Sequence, residues 1–200
     1  MNKRVASLAV ALLLALAVPL VARADTPLDT VKANVDSVLE VLRNPKLQGE
    51  AGKKVKTQRI QAAADKLFDF VELSKRTLGM AWNKFTPDQR KEFVRLFESV
   101  LRDTYVGRIT AYTNEQVSFT KEASLSSDTA EVRSVVTGGK SGEVHIDYRV
   151  IKKDDQWKVY DVVIEGVSLI DNYRSQFREI LAKGTPETLL DTLRKKVGSQ

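Results

Sequence analysis

The side chains best suited to acid–base chemistry are few and do not converge. His145 is the sole histidine, and it occupies the polar side of an alternating segment, so we expect it to face solvent. Asp161 stands among apolar neighbours and would serve as a base if it were buried and unpaired. The more ordinary expectation is that it accepts hydrogen bonds from backbone groups or an arginine. A single histidine without neighbouring ligands at suitable spacing does not make a metal site.

Motifs for nucleophilic catalysis and phosphate binding are also missing. Ser168 follows a strand and a glycine, but the G-x-S-x-G elbow is not formed. With Asp171 three residues later, Ser168 instead predicts a helix N-cap. Neither G-x-G-x-x-G nor a P-loop occurs, and the chain has no cysteine. We therefore expect no catalytic residue, no metal and no cofactor.

The first 24 residues predict a signal peptide. A basic head at 1–4 precedes an apolar run at 5–18, and Ala22-Arg23-Ala24 is the small-x-small pattern of a cleavage site. The run is shorter than the about 20 apolar residues of a membrane span, and the alternative, a retained anchor, lacks a stop-transfer segment. We predict export to the bacterial periplasm and a single domain over 25–200, held together without disulfides.

The charge of this mature chain is nearly balanced. Without Lys3, Arg4 and Arg23 it has 29 basic and 26 acidic side chains. A nucleic-acid-binding domain would carry a much stronger basic bias, so we exclude that class. The lysines within 53–56 are typical of a solvated helix face, and the excess would at most help the protein approach an anionic membrane.

The periodicity of the apolar residues divides the chain into three parts. It is helical up to about 112, has a period of two from about 115 to 165, and is helical again in the last thirty-odd residues. Turn residues at 126–128, 138–139 and 154–155 make the middle part an antiparallel meander of four strands. Helices from both ends would cover one face, which is an α+β arrangement.

The best-defined helix begins at Thr86. Gln89 completes a capping box with it, and an apolar stripe then continues to Tyr112. Gly107 within the stripe predicts close packing or a local bend. Shorter helices are expected before it, over 30–42, around 54–64 and after a bend at 68–70.

Residues 157–164 form a strand that is apolar on both faces and leads directly into an apolar helix. Such a strand is usually central and covered on both sides. The alternative is that helices and sheet do not fully close, so that the apolar surface surrounds a guest. A filled core and a lined cavity need the same residue types, and the pattern leaves both open.

The stretch YDVVIEGVSLIDNYRSQF at 160–177 resembles the signature of the MlaC family, the periplasmic phospholipid-binding proteins of the Mla, or toluene-tolerance, ABC transport system. FDFVELSKRTLGMAW at 68–82, FVRLFESVLRDTYVGRI at 93–109 and VHIDYRVIKKDDQWKVYD at 144–161 agree in the same order. The resemblance spans essentially the whole mature chain.

The resemblance implies a periplasmic carrier that shuttles phospholipid between outer and inner membranes and maintains outer-membrane lipid asymmetry. The implied partners are the phospholipid cargo, an outer-membrane lipoprotein–porin complex, and an inner-membrane ABC transporter complex with its substrate-binding subunit. The implied fold is a curved antiparallel sheet of about four strands wrapped by N- and C-terminal helices, with an NTF2-like shape and acyl chains between the layers. It gives no headgroup contact on a numbered residue.

Apolar positions on the long helix and on the strands are the candidates for lipid contact, around a cavity at or above the upper end of the usual 300–1,000 Å³. Four of them lie on the long helix and are expected to face the strands: Phe97, Val100, Leu101 and Tyr105. The strand residues that they would face are Val132, Val144, Ile146, Tyr148 and Val150, and the set is completed by Val163, Leu169 and Tyr173.

The place of Val163 in this set depends on the register of the hairpin at Asp154-Asp155. A two- or four-residue loop puts Val159 and Val163 on the Tyr148 face of the sheet. A three-residue loop would put the even-numbered residues from Tyr160 to Ile164 there instead.

Two other function classes stay open. An enzyme of NTF2-like shape would bind a small apolar substrate and depend on one acid such as Asp161, so that its amide variant would lose activity. A periplasmic protein-binding module would have an exposed apolar groove and no lipid.

Overall fold

The computed structural model describes residues 25–111, 114–139 and 142–198. The predicted signal peptide and Tyr112 lie outside these ranges. The helices are α1 (Pro27–Arg43), α2 (Gly49–Leu67), α3 (Phe70–Leu78), α4 (Pro87–Thr110), α5 (Leu169–Lys183) and α6 (Pro186–Gly198). The strands are β1 (Gln116–Ser124), β2 (Thr129–Gly139), β3 (Gly142–Lys153), β4 (Gln156–Ile164) and β5 (Val167–Ser168). Short 3-10 turns cover Pro45–Leu47 and Gly79–Lys84.

The strands form one antiparallel sheet in the order β1-β2-β3-β4-β5. This confirms the predicted α+β fold with helices from both ends of the chain, but the helices cover both faces of the sheet at β4 rather than the one face expected. The described residues contain five strands rather than about four. The additional strand, β5, has two residues and is too short to produce an alternating pattern.

Side-chain caps fix the starts of the main helices. The predicted capping box is confirmed, because Thr86 accepts from the Gln89 amide and the Gln89 side chain accepts from Thr86. Ser168 caps α5 through the Asp171 amide, also as predicted. Thr26 caps α1, which therefore begins three residues before the expected start. The prediction of close packing at Gly107 is wrong, because a Cβ added at this position would meet open space.

The β3–β4 hairpin has a two-residue loop, Asp154-Asp155, because Lys153 pairs with Gln156. Both loop residues have positive φ, 48° and 59°, as the tightest hairpin turns require. Further along, Val150 pairs with Val159 whereas Arg149 pairs with Asp161, so Tyr160 is an extra residue in a β-bulge.

The bulge changes which β4 residues share a face with Tyr148. Val162 is the partner of Tyr148, and Ile164 is the partner of Ile146. Val163 pairs with Asp147 and lies on the opposite face. The two-residue loop therefore puts Val159 on the expected face, but the expected placement of Val163 beside Tyr148 is wrong.

Two apolar cores lie on the two sides of β4. The helical core joins α3 to α6 and contains Leu73, Phe93, Phe97, Val100, Leu101, Tyr173, Phe177, Leu189 and Leu190. The sheet core joins α1 and the end of α2 to the sheet and contains Val31, Leu67, Ala130, Val132, Val150, Val159, Val162 and Leu169. Residues 159–163 are all buried, so β4 is a central strand covered on both faces.

Candidate functional site

The apolar face of the sheet is closed near the β3–β4 hairpin and incompletely covered at the other end. In the closed half, Ala130, Val132, Val150 and Val159 are at most 3% exposed. At the other end, six apolar side chains of the same face are only half-buried; this group, here called the open half, is Phe119, Val136, Val144, Ile146, Tyr148 and Ile164. Because burial of apolar surface is the main favourable contribution to folding, these half-buried side chains contribute less to stability than those of the closed half.

The helix α1 covers the closed half and beyond it contacts this face only at the β1 edge. Val31 is fully buried in the sheet core. About two to three turns further on, Leu39 and Leu42 pack instead with Ile60 of α2 and with Val117 at the start of β1. The helix that covers the closed half therefore does not cover the open half.

The end of α4 is the other element beside the open half. Tyr105 packs against both the helical core and the sheet core. In the next turn Val106 is half-buried and Ile109 is 40% exposed. The chain then passes into β1 beside the β2 end, where Gly138 lies next to Asn114 and Gly139 lies next to Glu115.

Tyr148 is the main polar group of the open half. Burial raises the pKa of its phenol to about 12, and a hydrogen bond with Ser134 opposes the rise. Ser134 itself is 1% exposed, and its hydroxyl donates to the Ile146 carbonyl at 2.9 Å. Yet the Tyr148 side chain keeps part of its surface accessible. The phenol of Tyr148 is therefore surrounded by apolar groups at a position that protein does not completely cover.

The structure divides the twelve predicted lipid-contact residues into groups. Val144, Ile146 and Tyr148 are in the open half, and Val132, Val150 and Leu169 are in the sheet core. Tyr105 joins the two cores, and Val163 lies on the other face of the sheet. Four belong to the helical core: Phe97, Val100, Leu101 and Tyr173.

The helical core is closed, so the expected opposition of the α4 stripe and strands β2 and β3 is not found. Phe97 is 1% exposed, and its ring centroid lies 4.9 Å from that of Tyr173 and 5.2 Å from that of Phe177. The stripe packs on α3, α5 and α6, and of the residues predicted on it only Tyr105 also reaches the sheet core.

Three open-half residues are missing from the set predicted from the sequence. Phe119 and Val136 belong to recognised alternating strands and could have been included on that pattern alone. Ile164 shares the face of Ile146 only because of the bulge at Tyr160, which no residue pattern announces.

Asp161 is a structural acid. It is 1% exposed and accepts hydrogen bonds from the Ser168 hydroxyl at 2.7 Å, the Ile170 amide at 3.1 Å and the Arg149 guanidinium at 3.2 Å. The expectation that it is paired with backbone and arginine is confirmed. The carboxylate connects β4 to the start of α5, and these contacts use it for packing rather than as a free base.

Other chemistry is sparse in the part of the chain that the structure describes. The His145 side chain is 61% exposed, as predicted for a solvent-facing residue. Among residues 25–111, 114–139 and 142–198, no group of histidine and acidic side chains is arranged to hold a metal. Within the same ranges, no helix has the length and apolarity needed to cross a bilayer.

Two clefts open on the surface of the described residues. One, of about 400 Å³, lies between α1 and α2 and is lined by Ala33, Arg59 and Ala62 among others. The other, of about 520 Å³, lies at the β3–β4 hairpin beside Phe68, Phe70 and Lys153. Neither of these two clefts lies over the open half, and both are smaller than the upper end of the 300–1,000 Å³ range expected for the guest.

Comparisons with known proteins agree on one family. The family model described as MlaC protein matches residues 32–195. The toluene tolerance protein ttg2D of Pseudomonas putida is 24% identical over 161 residues, which are 80% of this chain and 75% of that protein. The intermembrane phospholipid transport system binding protein MlaC of Haemophilus influenzae is 24% identical over 124 residues, 60% of this chain and 58% of that relative's length.

A solved structure extends the likeness to three dimensions. It is the phospholipid-binding protein from Ralstonia solanacearum in complex with a phospholipid. That protein is 30% identical to this chain, with a TM-score of 0.79 over 88% of this chain and 98% of the other.

Proposed function

The chain belongs to the MlaC family, and from this we propose that it is a periplasmic phospholipid carrier that shuttles lipid between the outer- and inner-membrane complexes of the Mla system and so maintains outer-membrane lipid asymmetry. Residues 1–24 would be removed on export, leaving 25–200 as one lipid-binding domain. Its partners would be an outer-membrane lipoprotein–porin complex and an inner-membrane ABC transporter complex with its substrate-binding subunit.

The open half is the observation that supports this proposal most. Six apolar side chains of one sheet face are left half-covered between α1 and the end of α4. Acyl chains would complete that cover. The related protein solved with a phospholipid shares this fold at 30% identity.

The energetics of the cargo indicate how the domain must behave. Two acyl chains hold roughly 30 methylenes, and burying each contributes about 0.8 kcal/mol, or about 24 kcal/mol relative to water. This sum exceeds the ceiling of about 21 kcal/mol for non-covalent affinity, so part of it must be offset by ordering the lipid and opening the protein.

The conformation described above is consistent with such an opening. The sheet core beside the open half is closed, with Val132, Val150 and Val159 fully buried, so helices and sheet would separate there to admit two chains. We place first contact at the open half and entry of the chains toward Tyr105 and the sheet core. Residues such as Phe97 and Leu101 would meet lipid only if the helical core also opened.

Release follows from the same energetics. Spontaneous transfer of the chains into water would be negligible, because they would lose all of their apolar cover at once. Unloading would therefore require a membrane-bound partner that offers another apolar site.

The decisive experiment is native mass spectrometry of the purified mature protein and of two variants, Val144→Trp and Ile146→Trp. The wild type should carry phospholipid, and each tryptophan should fill the open half and lower the lipid-bound fraction at least several-fold. Since both positions are half-buried, the variants should remain folded, which circular dichroism and thermal unfolding would check.

His145→Trp is the matched control, because His145 lies between the two test positions on the opposite, solvent-facing side of β3. It should leave lipid loading unchanged. Absence of phospholipid after organic extraction of the wild type would contradict the carrier function. Equal loading of the wild type and Ile146→Trp would instead contradict the open half as the site.

A further inference from the structure

The positive charge of the mature chain is concentrated in one corner. Residues 43–59 contain six basic side chains and one acidic side chain, Glu50, whereas the rest of 25–200 contains 23 basic and 25 acidic. This basic corner comprises the end of α1, the 3-10 turn after it and the first half of α2. Its cations are Arg43, Lys46, Lys53, Lys54, Lys56 and Arg59.

Local packing turns the lysines of α2 outward. Gly52 is buried, and a Cβ there would come within 2.4 Å of the Leu47 backbone, so this side of the helix is pressed against the preceding turn. Lys53 and Lys54 are exposed as a result, and Val55 between them and Lys56 is 39% exposed. The pair of Lys53 with Glu50 spans 3.5 Å, but both side chains are at least 70% exposed, so it neutralises the corner little.

The basic corner lies at the same end of the molecule as the open half. The Arg43 guanidinium donates to the Glu115 carbonyl at 3.3 Å, immediately before β1. Gly139, at the end of β2, lies beside the side chain of the same Glu115. Two more aliphatic side chains are exposed at this end, Ile109 at 40% and Val167, the strand partner of Ile164, at 57%.

We propose that the basic corner docks the domain on an anionic bilayer surface and thereby directs the open half toward the lipid headgroups. This docking role rests on the proposed carrier function. The lysines would contact phosphate groups of the headgroup layer, and the exposed aliphatic side chains beside them would enter its boundary with the acyl chains.

The composition of the corner favours a bilayer over an acidic protein as the partner. Four of its six cations are lysines, which are strongly hydrated point charges with no fixed hydrogen-bond geometry. Interfaces between proteins are enriched in arginine and depleted in lysine. Binding to a mobile layer of lipid phosphates requires only a high density of positive charge. Lysines beside exposed aliphatic residues provide that density.

The test is flotation of the purified mature protein with vesicles of phosphatidylethanolamine and phosphatidylglycerol, and with vesicles of phosphatidylcholine alone. Each lysine near an anionic surface strengthens binding roughly fivefold, so Lys53→Gln, Lys54→Gln and Lys56→Gln together should weaken binding on the order of a hundredfold. Binding of the wild type should be selective for the anionic vesicles and should fall as salt is raised, because salt screens the attraction.

The matched control removes three lysines from elsewhere: Lys75→Gln, Lys84→Gln and Lys91→Gln. These lie on α3, the second 3-10 turn and the start of α4, a helix of 24 residues whose other end lies beside the open half. The net charge change is identical, and this variant should bind anionic vesicles like the wild type.

Three results would overturn the proposal: equal vesicle binding by the wild type and the corner variant, equal losses in both triple variants, or binding of the wild type to no vesicle. The last would assign the corner to an acidic protein surface. Native mass spectrometry of the corner variant separates this proposal from the carrier function, because its phospholipid content should be that of the wild type. A corner variant that loses both lipid and fold would be replaced by Lys54→Gln alone, with a roughly fivefold loss expected.

Discussion

The helical core and the open half are built from the same kinds of side chain and are covered very differently. Phe93 and Phe97 are at most 1% exposed, and their rings contact those of Tyr173 and Phe177. Phe119 and its neighbours in the open half remain half-buried. Apolar residues on a regular period therefore identify a buried face, whereas the neighbouring elements decide whether protein covers that face completely.

The covering elements account for the difference. The stripe of α4 meets α3, α5 and α6, so it is enclosed by the protein itself. The helix α1 covers the closed half, whereas its later residues Leu39 and Leu42 pack on Ile60 of α2 and on Val117 at the β1 edge, beside the open half. One region is thus a completed core, and the other is a face on which something else can pack.

The largest difference between the two regions is expected when one phenylalanine of each is replaced by alanine. Phe97→Ala should lower the free energy of unfolding by about 3–5 kcal/mol, because it leaves a cavity in a closed core. Phe119→Ala should lower it by about 1 kcal/mol, because that ring is already partly exposed. Urea unfolding of lipid-free protein would measure both.

If both phenylalanine variants lost the same free energy of unfolding, the open half would be as tightly packed as the helical core, and the contrast between the two regions would be wrong. Adding phospholipid should stabilise the wild type and Phe97→Ala by similar amounts. It should stabilise Phe119→Ala less if that ring contacts the acyl chains.

A second prediction concerns the junction between the two regions. Asp161→Ala removes the acceptor shared by Ser168, Ile170 and Arg149, and should lower the free energy of unfolding by about 2–3 kcal/mol. The urea dependence of unfolding would also show whether sheet and helices still unfold together, since loss of cooperativity changes its slope.

The control for Asp161→Ala is Asp171→Ala at the start of the same helix. The side chain of Asp171 is 64% exposed and pairs with Arg174. Its loss should reduce stability by less than about 1 kcal/mol. If both variants lost equally, the buried network would have no special role in joining the regions.

The helical side also differs from the sheet in its response to pH. Hydrogen bonds from Arg194 lower the pKa of Glu92 and join α6 to α4. Its lowered pKa means that this contribution is present above the ordinary glutamate pKa and lost as pH falls through the folded value. Glu92→Gln should therefore reduce stability at neutral pH by about 0.5 kcal/mol, and the gap should close in acid.

Asp147 on the sheet should show the opposite sign. Burial and the nearby Glu131 raise its pKa, against the attraction of Arg133. Its charged form is disfavoured in the folded state, so Asp147→Asn should stabilise the protein slightly once the pH exceeds that raised value and have no effect well below it. Thermal unfolding across pH 3 to 7 would measure both variants, and slopes of the same sign would contradict the contrast.

Local features were predictable from the sequence, whereas tertiary partners were not. The caps at Thr86 and Ser168 and the turn at Asp154-Asp155 depend on residues within a few positions of one another, and the structure contains all three. The α4 stripe was correctly predicted to be buried but was assigned to the sheet. Periodicity gives the side of a helix that is buried and carries no information on which element buries it.

The placement of Val163 failed for a different reason. It required counting by twos along β4, and Tyr160 interrupts the count. A bulge depends on the pairing of two strands rather than on one residue type, so the alternation of β4 alone gave no signal of it.

The inserted Tyr160 also determines what β4 can hold. Because of it, two successive residues point toward the helices: Tyr160 lies under the Arg76 guanidinium of α3 at 4.1 Å, and Asp161 accepts from the start of α5. Deleting that one residue would close the bulge and leave Asp161 opposite Arg149, so the strand beyond it would keep its two sides but lose the ring that lies under Arg76. The bulge therefore lets β4 present both a ring and a carboxylate to the helices at a position where a regular strand presents one side chain.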